Sequence, residues 1–318
     1  MHIVIVGGGA IGRFFGAYFC KGGNQVTLID TNSEVVDELN KNGIGLVRYI
    51  GGPQDTEEHF SVCADTDGKK IQQCDLILLT VKSFATRSAA ENVAHLVRPE
   101  SPIIFMQTGL GNQAILREMF PAQAILAGLT FVSATGLGNA KIRQGRSGTT
   151  YLGELGAVGE LAGQVTPRLE KICKVFTESG IEARCSGRII GRLWGKVITY
   201  AALNSLTSIL RVPNGKLLED TESLQLAREL IAEGEAVAQA RGVEPFVDDL
   251  FEQFQQICKE SSNNLSSMLQ DIINNKKTEI DAQSGTLVKY AEKFGMQAPR
   301  HAMMTSILHL LEKWSVEP

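Results

Sequence analysis

Short aliphatic and β-branched runs alternate with segments of helical periodicity through the first half of the chain. Ile3 to Val6, Gln25 to Ile29, Asp75 to Val81 and Ile103 to Met106 are such runs, the pattern of parallel strands buried on both faces. Ala10 to about Lys21 reads as a helix that stops at Gly22-Gly23. Val165 to Ser179 reads as another, closed by Gly180, before IEARCS reads as a last strand. From Arg188 onward the periodicity is helical almost throughout. Helices are predicted over Arg188–Leu210, Leu224 to about Arg241, Leu250 to roughly Lys259, and from near Asn264. Thr278-Glu279-Ile280-Asp281 looks like an N-cap signature, opening a helix that runs to Phe294 with Gly295 as its left-handed cap, and His301–Trp314 forms the last. The pattern predicts an α/β protein: a parallel-sheet domain over residues 1–187, then an all-helical domain over 188–318.

One helix carries an odd stripe. In LWGKVITYAALNSLTS, Leu193 to Ser208, the residues Lys196, Tyr200, Asn204 and Ser208 recur every fourth position. That spacing puts them on one side of a helix, each about 40° further round. The plain reading is a solvent-facing stripe. The alternative is a polar ridge facing a ligand, with an ammonium group at its head.

The glycines after the first strand give that alternative a context. Gly7, Gly9 and Gly12 form G-x-G-x-x-G between a strand and a helix, and the second strand ends in Asp30, 18 residues beyond Gly12. This order is the dinucleotide-binding fingerprint of a Rossmann-type unit. Gly7 permits the tight turn, Gly9 lets the backbone approach a pyrophosphate, and Gly12 lets helix and strand pack closely. The N–H groups at the helix start, around Ala10 and Ile11, face the phosphates, and Asp30 accepts ribose hydroxyls. Ligands bind outside the carboxyl ends of such strands, which is where Lys82 and Thr108 fall. Their plain alternatives are a solvated loop lysine and a turn residue. The glycine-rich stretch from Ser133 to Gly148, with Lys141, Arg143 and Arg146, reads either as a solvated hairpin tip or as a loop reaching an anion, and is left unassigned. A sheet domain and a helical domain meeting over a nucleotide suggest a dehydrogenase with its substrate in the cleft.

Bulk composition narrows the classes. The 318 residues are 43% hydrophobic and 21% charged, with net charge −4, so no basic footprint points to nucleic acid. Six scattered cysteines without a C-x-x-C pair read as reduced thiols in a cytoplasm and give no zinc or other metal site. Apolar runs fall short of the roughly 20 residues a membrane helix needs, and the chain opens directly on a strand-like run, so no targeting segment is expected.

The residues together resemble the ketopantoate reductase family over nearly the whole chain. The likeness rests on GGGAIG at Gly7–Gly12, VKSF at Val81–Phe84, RLWGKVITYAALNSLTS around Lys196, PNG at Pro213–Gly215, NNLSSMLQDI at Asn263–Ile272 and TEID at Thr278–Asp281. The resemblance implies a helical second domain like the C-terminal domain of 6-phosphogluconate dehydrogenase. It also implies reduction of 2-ketopantoate to D-pantoate with NADPH, on the route to pantothenate and coenzyme A. By resemblance Lys196 matches the general acid, and Asn204 an asparagine that helps hold substrate. Ser267 matches the serine on the substrate carboxylate, Glu279 the glutamate that orients the ligand, and Lys82 the lysine at the nicotinamide end. An unperturbed lysine titrates near 10.4, so Lys196 starts protonated unless burial lowers it.

Three positions depart from the family pattern. Thr108 stands where an asparagine is usual, Tyr200 stands where a second asparagine follows the lysine by one turn, and Asp30-Thr31-Asn32 stands where a basic residue would hold a 2′-phosphate. Thr108 and Tyr200 reshape the substrate contacts, and Asp30 leans towards NADH over NADPH. The expected partner is a small 2-keto acid, with a homodimer left open. A related reductase on another 2-keto acid, and a non-catalytic dinucleotide-binding regulator, are the competing readings.

Overall fold

The computed structural model describes residues 1–48, 56–138, 140–145, 147–155, 163–246 and 249–314. The chain divides into two compact units, Met1–Gln107 with Asn112–Ile189, and Thr108–Gly111 with Ile190–Pro318.

The first unit is α/β, as the alternating pattern predicts. Its strands are β1 (His2–Val6), β2 (Gln25–Ile29), β3 (Ile44–Arg48), β4 (Thr56–Phe60), β5 (Cys63–Asp65), β6 (Leu76–Leu79), β7 (Ile103–Phe105), β8 (Ile125–Thr130), β9 (Ala134–Gly136), β10 (Lys141–Gln144), β11 (Thr150–Glu154) and β12 (Ala183–Cys185). The main sheet runs β12-β11-β8-β7-β6-β1-β2-β5, and every neighbouring pair is parallel except β8 with β11. The chain leaves β1 for β2 on one side and reaches β6 on the other, so strand order reverses at β1. A crevice opens at such a switch point, and the Gly7–Gly12 loop follows that strand. Ile3, Ile5, Leu28, Leu76 and Leu78 are fully buried, which explains why the strands read as continuous apolar runs.

Helices α1 (Ala10–Lys21), α2 (Ser33–Asn42), α3 (Thr86–Asn92), α4 (Asn112–Met119) and α5 (Pro167–Glu178) belong to this unit. The Phe15, Phe19 and Phe176 rings pack α1 against α5. A second sheet, β4-β3-β10-β9, is absent from the sequence pattern. Thr-Glu-Glu-His-Phe in β4 lacks an apolar alternation, and pairing with β3 and cross-strand ion pairs specify it instead. Arg48 pairs with Glu58 and Lys141 reaches Glu57 at 2.8 Å. The unassigned glycine-rich stretch supplies β9 and β10, an antiparallel hairpin whose β10 adds in parallel to β3. Lys141 and Arg143 lie in β10, and Arg146 falls outside the described residues.

The second unit holds α6 (Ile189–Leu210), α7 (Thr221–Ala240), α8 (Leu250–Glu260), α9 (Ser267–Ile273), α10 (Ser284–Lys293) and α11 (Pro299–Lys313). Asp220 caps α7, so that helix begins three residues before its first periodic leucine. The helix expected from Thr278 to Phe294 is broken. Ile280–Ala282 form a single 3-10 turn, Gln283 leaves the helical path at φ −106° and ψ −100°, and α10 starts only at Ser284. Asp281, three residues beyond Thr278, does not act as its capping-box partner: the Thr278 N–H donates to Glu312 Oε1 at 2.7 Å, and the Asp281 carboxylate sits 2.9 Å from His309 Nε2. The Thr278 hydroxyl does accept the Ile280 N–H, at 3.2 Å.

Candidate active site

The loop after β1 has the geometry its glycines imply. Gly7 holds φ +111°, and a Cβ there would lie 2.8 Å from Val81 N. A Cβ on Gly12 would collide with the Gly7 carbonyl oxygen, whereas one on Gly9 meets nothing within 4 Å. The space over Gly9 is open, as a cradle for a diphosphate requires. Gly9 is also the N-cap of α1 and brings no side-chain cap to the helix, so N–H groups around Ala10 and Ile11 remain for an anion. The Thr80 hydroxyl pins the turn, donating to the Gly7 carbonyl at 2.9 Å.

Asp30 closes the loop from the end of β2. Its carboxylate accepts the Gly8 N–H at 2.6 Å and the Asn32 N–H at 2.9 Å, and Asn32 in turn caps α2. Asp30-Thr31-Asn32 is therefore a helix entry as well as the expected ribose reader. Arg13, the residue after the last glycine, escaped the sequence reading. Its guanidinium is buried and donates to the Gly9 and Lys141 carbonyls at 3.4 Å each. Burial lowers its affinity for the proton and the charge of Asp30 opposes that. The glycine spacing marks the loop but is silent on the residue beneath it.

Lys82 is half-buried and stands at the position just before the 3-10 turn Ser83–Ala85 beyond β6, with no capping bond from its side chain. Behind it lies a buried polar chain that the sequence reading also missed. Gln107 Nε2 donates to the Thr86 hydroxyl at 3.1 Å, Thr86 donates to Asn112 Oδ1 at 2.7 Å, and Asn112 Nδ2 donates to the Ser83 hydroxyl at 3.3 Å. Buried polar groups linked in this way hold loops rigidly.

In the second unit the ridge on α6 is not solvent-facing. Lys196 is 7% exposed, Asn204 2% and Ser208 not at all, and Tyr200 is half-buried. The helix is clamped where Arg241 lies over the Tyr290 ring at 4.4 Å and the Trp194 ring at 5.2 Å. Lys196 Nζ sits 5.1 Å from the centre of the Tyr200 ring, within cation–π range. Burial pulls the Lys196 ammonium down to about 8, and the charge of Glu279 pulls the other way. Glu279 is half-buried at the start of the 3-10 turn, outside the first turn of a full helix.

Asn204 Nδ2 donates to Gln283 Oε1 at 3.0 Å, and both residues are 2% exposed. Thr108 is half-buried in a segment that belongs to this same unit. The segment docks on the break before α10, where the Leu110 N–H donates to the Ala282 carbonyl at 2.8 Å. Ser267 is exposed at the first position of α9, while Ser266 beside it is buried. Ser266 caps the helix and accepts a hydrogen bond from Thr207 at 2.7 Å. One unit thus gathers Lys196, Tyr200, Glu279, Asn204 and Gln283 about α6 and the break before α10.

Two family models match this chain, "Ketopantoate reductase PanE/ApbA" over residues 3–157 and "Ketopantoate reductase PanE/ApbA C terminal" over residues 188–312. The chain belongs to the ketopantoate reductase family. A relative named 2-dehydropantoate 2-reductase from Pyrococcus abyssi is 31% identical, over 97% of each chain. Among solved structures, the ternary structure of a D-mandelate dehydrogenase with NADH and anilino(oxo)acetate is similar at 25% identity and a TM-score of 0.90, covering 99% of each chain. A ketopantoate reductase from Ralstonia eutropha JMP134 is similar at 25% identity and a TM-score of 0.88, with the same coverage. Like its family, the chain is a dinucleotide-dependent oxidoreductase. Among the described residues no helix is long and apolar enough to cross a membrane.

Proposed function

We propose that the protein reduces 2-dehydropantoate to D-pantoate, with Lys196 as general acid and Glu279 beside it. Lys196 carries this reading: an ammonium buried on α6 with its proton affinity lowered to about 8 is poised to give up a proton near neutral pH. Bound nicotinamide dinucleotide supplies the hydride. Addition of a hydride to a ketone builds negative charge on oxygen, which a nearby ammonium stabilises and protonates, typically for about 10² to 10⁴ in rate. At pH 7 about nine-tenths of Lys196 is protonated. The charge of Glu279 is already part of that balance, and its carboxylate is offered to a substrate hydroxyl. Asn204 and Thr108 supply hydrogen bonds to the substrate, and Ser267 a hydroxyl for its carboxylate. On the cofactor side Gly7, Gly9, Gly12, Ala10 and Ile11 cradle the diphosphate, and Lys82 stands at the nicotinamide end. Asp30 supports NADH, because its carboxylate repels a 2′-phosphate. The six cysteines, all free thiols, support a reducing cytoplasmic setting.

Tyr200 favours a second reading. A ring in place of a family asparagine makes one wall of the ridge aromatic, which suits an aryl or branched 2-oxo acid, and the similar D-mandelate dehydrogenase was solved with anilino(oxo)acetate. The test is nicotinamide oxidation followed by absorbance, with 2-dehydropantoate and with phenylglyoxylate, each with NADH and NADPH. Turnover of 2-dehydropantoate at a higher kcat/KM supports the first reading, and the reverse order supports the second. Nucleotide binding without turnover of any 2-oxo acid would overturn both and leave a non-catalytic regulator.

A further inference from the structure

We infer that Gln283 is a positioning residue for the substrate, acting through Asn204 and so setting which 2-oxo acids the site holds. The inference rests on the reductase reading above. Two places that carry asparagine in the family resemblance carry Tyr200 and Thr108 here, so Asn204 is the carboxamide left to α6. Its amide nitrogen is bound to Gln283 Oε1 at 3.0 Å, and each residue is 2% exposed. A lone buried carboxamide turns between rotamers and loses its partners in some of them. A carboxamide paired with a second one presents the same edge each time.

The backbone around Gln283 is built to hold that pairing. Gln283 occupies the break between the 3-10 turn and α10, so its side chain is set by the two elements that meet there. On one side the Ala282 carbonyl accepts the Leu110 N–H at 2.8 Å, which ties the break to the segment carrying Thr108. On the other side buried Ser284 meets His301 Nδ1 at 3.1 Å, and His301 Nε2 meets the Leu230 carbonyl at 3.0 Å. Asn204 lies eight residues beyond Lys196, about 12 Å along the helix axis. In this inference Lys196 serves the substrate's carbonyl oxygen and Asn204 its far end. Gln283 acts at that end and does not touch the reacting atoms.

The geometry predicts a change in KM separate from kcat. Gln283→Met keeps the length of the side chain and removes its polar atoms. It is expected to raise the KM for the 2-oxo acid about tenfold, with kcat and the nicotinamide dissociation constant within twofold of wild type. Gln283→Glu keeps an acceptor oxygen for the Asn204 N–H and is expected to raise that KM no more than about threefold. In an Asn204→Ala background, Gln283→Met should add less than twofold, because the interaction it breaks is already gone. A substrate KM unmoved by Gln283→Met overturns the assignment, and so does an equal tenfold rise in the Asn204→Ala background. Should the Met variant not fold, the Glu variant decides, and a KM more than threefold above wild type overturns it. A wild-type protein that binds nicotinamide and reduces no 2-oxo acid removes the reductase reading itself, and this inference with it. That result is distinct because it is seen before any variant is made.

Discussion

Replacing Lys196 with methionine should make the protein more stable and much less active. The ammonium is 7% exposed, and burial lowers it from 10.5 to about 8. At 1.36 kcal/mol per pH unit, holding that charge costs the fold about 3 kcal/mol at neutral pH. The folded state binds the proton less tightly than the unfolded chain, so this destabilisation is complete below about pH 8. It fades as pH rises towards 10.5, where the unfolded lysine also loses its proton. Methionine fills the same space with no charge. Urea unfolding should therefore find Lys196→Met more stable than wild type by up to about 3 kcal/mol at pH 7, and by about half that at pH 9.5. In the same preparations kcat should fall at least a hundredfold, with nicotinamide affinity retained. A variant no more stable than wild type at pH 7, or an advantage that grows with pH, would refute the buried-charge argument.

The acid role also implies a pH–rate profile: kcat/KM for reduction should decline about tenfold per unit above pH 8, and a profile flat to pH 10 would exclude Lys196 as donor. If the open space over Gly9 holds the diphosphate as proposed, Gly9→Val should fold as wild type and lose nicotinamide binding, whereas Gly12→Val should fail to fold, its Cβ colliding with the Gly7 carbonyl. Calorimetric titration with NADH and a melting curve distinguish the two. Asp30→Ala with Thr31→Arg should move the NADPH to NADH preference at least tenfold towards NADPH. Both affinities should also weaken somewhat, since the Gly8 and Asn32 N–H groups lose their acceptor; an unchanged ratio means Asp30 does not read the ribose. Tyr200→Asn should favour 2-dehydropantoate over phenylglyoxylate relative to wild type in the paired turnover assay.

Much of this was legible in the sequence because it is local. The central strands of the main sheet are largely buried apolar runs, so β1, β2, β6 and β7 stand within two residues of where hydrophobicity puts them. The glycine spacing reports backbone constraints that hold wherever the strand–turn–helix occurs, and Gly7 and Gly12 meet them. What was hidden depends on partners far away in the chain. The second sheet needs β3 to find β10, where Gly45 pairs with Lys141, and the Lys-Ile-Arg-Gln of β10 holds a single apolar residue to advertise it. The polar ridge on α6 has the spacing of a surface stripe, and only packing of the other helices makes it buried. Gln283 stands in a stretch of helical composition that breaks because its side chain and its neighbours are committed elsewhere.

That hidden part is also where local rules are broken. A lysine and two carboxamides inside a helical core are worse for folding than apolar residues of the same size, even when paired. A core optimised for stability alone would replace them. Ser205 and Ser208, on the same helix, are fully buried with hydroxyls that find no partner among the described residues. Thr207, between them, is buried too, but its hydroxyl lies 2.7 Å from both the Leu203 carbonyl and the Ser266 hydroxyl. Helix α6 is therefore able to bury a hydroxyl in satisfied form where nothing else is required of it. Lys196 and the Asn204–Gln283 pair go further than a hydroxyl: a buried charge faces the charge of Glu279, and two buried carboxamides are bound to each other. Conflict between local preference and global fold concentrates at functional positions. On that argument the ridge is what the second unit is built to hold.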